Sequence, residues 1–128
     1  MGNIPSKNKV HFEELQTIVN TTNPDYVIIN TMKINEQKCI ILNTMRAENE
    51  ENTINELLSK NKSKKIIIYG KNYNDEMVYK KYSQLNKLGF KNIFIYIGGM
   101  FEWLCLQEIY GNELFKTTSD EMDILKYK

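Results

Sequence analysis

The chain has 128 residues, enough for one domain that buries roughly two-thirds of the surface its unfolded form exposes, so it needs neither disulfide nor metal staple. A formal net charge of +1 leaves no electrostatic footprint for nucleic acid. Of the 17 basic residues only Arg46 is an arginine, which nearly excludes bidentate guanidinium recognition of phosphate or carboxylate.

Residues 1–9 are polar, with Pro5 and two lysines, and are expected to form a flexible tail ahead of a domain spanning 10–128. Phe12, Leu15, Ile18 and Val19 then recur at helical spacing. Asn23-Pro24-Asp25 is a turn signal before the β-branched run Tyr26-Val27-Ile28-Ile29, and Cys39-Ile40-Ile41-Leu42 is a second run of strand length. Thr53 and Glu56 are spaced as a capping box, which predicts a helix over 53–60 with Ile54, Leu57 and Leu58 on one face. The basic run Lys60–Lys65 suits a solvated connector to the continuous apolar strand Ile66-Ile67-Ile68-Tyr69.

Val78, Tyr82, Leu85 and Leu88 form the stripe of a further helix. Gly89 stands where a Schellman glycine would end it, with Phe90 as the apolar partner. Ile93–Ile97 is the last strong strand, followed by Gly98-Gly99 and a mostly apolar helix over about 100–110. Strands that are apolar throughout and separated by helices predict an α/β fold of three layers: a mostly parallel sheet covered by helices on both faces.

The stretch from Lys64 to Thr118 resembles the second half of a rhodanese domain. The resemblance lies in Ile66-Ile67-Ile68-Tyr69-Gly70, the loop and helix to Leu88, Gly89-Phe90, and Gly98-Gly99 with Trp103 four residues on. The first half matches more loosely: Asn30 and Met32 occupy the polar positions of the family's Asp-x-Arg turn. More narrowly, the chain is similar to short protist-type members that begin Met-Gly-Asn. The family pattern places a nucleophilic cysteine after the tyrosine, with amides and a helix dipole aimed at its sulfur. Gly70 stands in that place, and Lys71, Asn72, Tyr73, Asn74, Asp75 and Glu76 complete the loop. The resemblance thus implies a degenerate active-site loop and a protein that is not an enzyme.

Three readings of the loop stay open. It is a plain capped helix start with Asn72 or Asn74 as N-cap, or an amide cradle that binds a small anion, or a site for other chemistry through Tyr73 or Lys71. A weak sulfurtransferase or phosphatase-like enzyme is the alternative at the level of function. Cys39 and Cys105 both sit in apolar company and are expected to be buried thiols, with Cys105 away from the loop. His11 is the single histidine, so no metal or other cofactor is expected. Trp103 is expected to plug the core.

Met1-Gly2-Asn3-Ile4-Pro5-Ser6 fits the N-myristoylation pattern, with Gly2 as the acceptor. One acyl chain binds membranes only weakly, with an association constant on the order of 10⁴ M⁻¹. No cysteine precedes Cys39 to carry a palmitate, and Lys7 and Lys9 add little. No secretory segment or spanning run is visible, so the expectation is a cytosolic pseudoenzyme acting as an adaptor for a protein partner, partly at the cytoplasmic face of a membrane through transient contact.

Overall fold

The computed structural model describes residues 4–128. Four strands pair in parallel in the order β1-β4-β3-β2: β1 (Lys9–Val10), β2 (Tyr26–Asn30), β3 (Lys65–Tyr69) and β4 (Ile93–Tyr96). The helices are α1 (Phe12–Thr21), α2 (Ala47–Lys60), α3 (Glu76–Leu88) and α4 (Gly99–Tyr110). The register is continuous, with Ile28 opposite Ile67 and Ile68 opposite Ile95.

The two-residue period of β3 divides the interior. Ile67 and Tyr69 face one layer with Leu15 and Val19 of α1 and Met100 and Trp103 of α4. Ile66 and Ile68 face the other layer with Ile54 of α2 and Val78 and Leu85 of α3. All three isoleucines of β3 are fully buried, as a parallel strand covered on both faces requires. Trp103 is also fully buried; its ring meets Tyr96 and Phe115 edge-on, and its Nε1–H donates to the Lys116 carbonyl at 3.1 Å.

The helix ends follow local chemistry. The Glu14 carboxylate accepts from the His11 N–H at the start of α1 (2.9 Å). Gly89 ends α3 at φ +106°, with the Phe90 N–H bonded to the Leu85 carbonyl (3.2 Å) and Phe90 buried.

Four expectations change. The fold begins before residue 10, because Lys9 pairs with Ile95, Ser6–Asn8 form a 3₁₀ turn, and the Asn8 side chain bonds the Ile93 carbonyl (2.8 Å). Cys39–Leu42 is buried or half-buried but is not a regular strand; only an isolated bridge joins Ile41 to Thr117. This run is held instead by Tyr69, whose hydroxyl accepts from the Ile41 N–H (3.1 Å) and pairs with Thr44 Oγ1 (2.7 Å). Third, α2 starts at Ala47, so Thr53 is mid-helix and no capping box forms there. The acidic first turn, with Glu48 and Glu50, complements the helix dipole and extends the helix past the expected start. Finally, Leu88 is exposed, because it lies in the last turn of α3 beyond the covered stripe.

Ile67→Ala should lower unfolding stability by about 2–5 kcal/mol, the range for large-to-small changes in a filled core. Urea denaturation followed by Trp103 fluorescence measures it; a loss below about 1 kcal/mol would contradict the packing described.

Candidate functional site

In a parallel sheet every strand ends at the same edge, so the segments that leave β1, β2, β3 and β4 meet there. These are His11, Thr31, the Gly70–Asp75 loop and Gly98. Thr31 is tied to the loop's strand by its N–H, which donates to the Tyr69 carbonyl (3.0 Å).

The loop closes on its own carboxylate. Asp75, not Asn72 or Asn74, is the N-cap of α3: Oδ1 accepts from the Met77 N–H (3.0 Å) and Oδ2 from the Lys71 N–H (3.0 Å). Thr31 Oγ1 lies 3.5 Å from the same Oδ2, at the limit of a hydrogen bond. Asn72 serves the loop differently. Its Oδ1 accepts from the Asn74 N–H (2.9 Å) and its amide donates to the Tyr127 carbonyl (2.8 Å). Lys71 reaches outward to Glu36 (2.8 Å), and that contact lowers the Glu36 pKa. Tyr73, Asn74 and Glu76 are exposed.

Gly70 has no room for a side chain. A Cβ placed there would lie 2.8 Å from Asp75 Cγ and 2.7 Å from Val78 Cγ2, with Asp75 Oδ2 nearer still. The N-terminus of α4 is likewise satisfied by the loop, through Met100 N–H to the Gly70 carbonyl (2.9 Å) and Phe101 N–H to the Lys71 carbonyl (2.8 Å). Gly99 permits this approach. Its φ is +68°, and a Cβ there would sit 2.8 Å from both Asn72 N and the Gly70 carbonyl oxygen.

The chain matches the rhodanese-like domain family over residues 11–105. It belongs to that family. No curated protein matches it. Solved structures share the fold at low identity. The rhodanese-like domain of an Anabaena sp. protein is 20% identical, with TM-score 0.62 over 90% or less of either chain (88% of this one, 80% of that). A Bacillus halodurans protein is 16% identical, with TM-score 0.63 over 80% of this chain and 73% of that one. A single-domain sulfurtransferase from Saccharomyces cerevisiae is 14% identical, with TM-score 0.61 over 86% and 97%.

Within this rhodanese-like domain the upstream turn, Asn30-Thr31-Met32, borders a separate cavity with α3. Met32 is buried, and Asn30 spends its Oδ1 on the Met32 N–H (3.0 Å). Cys39 is buried and donates to the Ser119 carbonyl. Cys105 departs from expectation: it is only partly buried and borders a cavity that also touches His11 and Tyr73 of the loop. Sequence spacing could not reveal this, because His11, Tyr73 and Cys105 come from three separate segments: the start of α1, the β3–α3 loop and α4. Among the described residues no cluster of His, Cys, Asp or Glu could hold a metal, and no helix is long and apolar enough to cross a membrane. Gly2 lies outside the described residues.

Asp75→Ala should cost about 0.5–2 kcal/mol, the usual loss for a helix cap. Hydrogen exchange should quicken at the Lys71 and Met77 amides; unchanged protection at both would show that the carboxylate does not hold them.

Proposed function

We propose that this rhodanese-like domain has lost sulfur transfer and acts as a binding module, an adaptor that brings a protein partner into an assembly or to a membrane surface. The observation that carries this reading is the position of the Asp75 carboxylate against Gly70. A sulfur-transfer loop keeps its amides and helix dipole free for a thiolate and its persulfide. Here a built-in carboxylate takes the Lys71 and Met77 amides and fills the space a side chain at residue 70 would need. The same carboxylate weighs against a small-anion site, since a bound anion would have to displace it against like charge. Other chemistry at Tyr73 or Lys71 finds no support either: Tyr73 is exposed, and Lys71 is engaged by Glu36.

Transfer from thiosulfate to cyanide should stay at the blank rate for the wild type. It should also stay there for Gly70→Cys, because the new Cβ meets Asp75 and Val78. Thiocyanate formation by the wild type that is lost on Tyr73→Phe or Lys71→Ala would overturn the reading.

The second component is lipidation at Gly2, supported by glycine at position 2 and serine at position 6. An acyl chain on Gly2 would supply the membrane contact. A single chain makes such contact reversible, which suits recruitment rather than permanent anchoring. A clickable myristate analogue should label the wild type and not Gly2→Ala; equal labelling would remove this component.

A further inference from the structure

The cavity that Cys105 borders lies beside the loop, on the far side of Tyr73, and has a volume of 410 Å³ between the start of α1, the end of β4 and the first turns of α4. We propose that it is a binding site for an alkylammonium group, with Glu102 as the counter-charge and Tyr73, Phe101 and Ile97 as the walls. The proposal stands whether or not sulfur transfer is lost, since it uses neither Gly70 nor the loop amides.

Three observations meet there. The first is a carboxylate without a cation. Glu102 is half-buried, and among the described residues no lysine, arginine or histidine nitrogen comes within 4 Å of it to form a salt bridge. Its Oε1 accepts from the Tyr96 hydroxyl (2.6 Å), a neutral partner that orients the carboxylate without cancelling its charge. Its place in the first turn of α4 sets it against the positive end of the helix dipole, and no side-chain cation completes the pairing.

The second observation is that the neighbouring hydroxyl and thiol are neutral. Burial, with the Glu102 hydrogen bond and charge, pushes the Tyr96 hydroxyl up, so it remains a donor. Burial and the Glu102 charge also push the Cys105 thiol up, so Cys105 contributes a neutral, polarizable surface and not a thiolate. His11, exposed at the rim, is the remaining titratable side chain besides Tyr73 that borders the space.

The third is the composition of the walls. Tyr73 and Phe101 offer aromatic surface to a cation, and Ile97 and Cys105 offer apolar surface to its alkyl stem. Gly98 completes the arrangement: a Cβ there would lie 2.7 Å from Glu102 Cβ and nearer still to its carboxyl group, so glycine lets the carboxylate fold back over the turn. An anion, a neutral chain and a bare metal ion each use only part of this set. An ammonium on a short alkyl stem uses all of it.

The stem can belong to a free amine or to the lysine side chain of a protein, and the probes separate these. The full chain is titrated with n-butylammonium chloride and followed by amide NMR, with 1-butanol as the uncharged isostere and sodium chloride as the ionic control. Saturable shifts at Gly98, Phe101, Glu102 and Cys105 are expected with butylammonium and not with either control. Glu102→Gln keeps an acceptor for Tyr96 and should weaken binding about tenfold or more while its spectrum stays dispersed. Equivalent shifts from Nα-acetyl-lysine methylamide would support a protein lysine as the source, and binding of butylammonium alone would support a free amine. Equal shifts with 1-butanol, no saturable shift with butylammonium, or unchanged affinity in Glu102→Gln would each overturn the proposal.

Discussion

Parallel pairing imposes one constraint from which the rest of the molecule follows. A strand in a parallel sheet must be buried on both faces, and each return to the next strand must cross over a face. The fully buried isoleucines of β3 and the split of its side chains between two layers are the direct result. A second result is that all four strands deliver their exits to one edge. Residues that are distant in sequence, such as His11, Thr31, Gly70 and Gly98, become neighbours for that reason alone.

At that edge α1, α3 and α4 also begin, and each brings unsatisfied N–H groups and the positive end of a dipole. Such a place attracts negative charge. In this chain the charge is internal. Asp75 caps α3 and binds the Lys71 amide, while the carbonyls of Gly70 and Lys71 satisfy the first donors of α4. Gly99, at positive φ, lets the α4 backbone come close enough for those bonds. The loop is therefore a self-contained electrostatic unit. Its Lys71–Glu36 and Asn72–Tyr127 contacts tie it to two outer segments of the chain.

The two sides of Tyr73 differ in charge. Toward the loop, Asp75 and Glu76 are accompanied by Lys71, Lys80 and Lys128 around one cavity. Toward α4, Glu102 has no cation beside it, and the nearby hydroxyl and thiol are both held neutral. The loop-side cavity thus holds charges of both signs, whereas the α4-side cavity is lined by one carboxylate among aromatic and apolar side chains.

Periodicity and punctuation along the chain were sufficient for the four helices, three of the strands and the Gly89 stop, because each depends on contacts a few residues apart, and the alternation of apolar strands with helices then gave the α/β class. That Gly70 follows Tyr69, with Asp75 and Glu76 in the loop after it, is read directly. Where local signals competed, the sequence misled: Thr53 and Glu56 imitate a cap inside a longer helix, and Cys39–Leu42 has strand composition but only an isolated bridge to Thr117. The tertiary structure decided which of several capping residues closes the loop, because Asp75 alone reaches both Lys71 and Met77. It also moved Cys105 from an expected buried place to a cavity wall shared with His11 and Tyr73. No sequence spacing encodes that meeting, which arises only when parallel crossovers carry three separate segments to the same edge of the sheet.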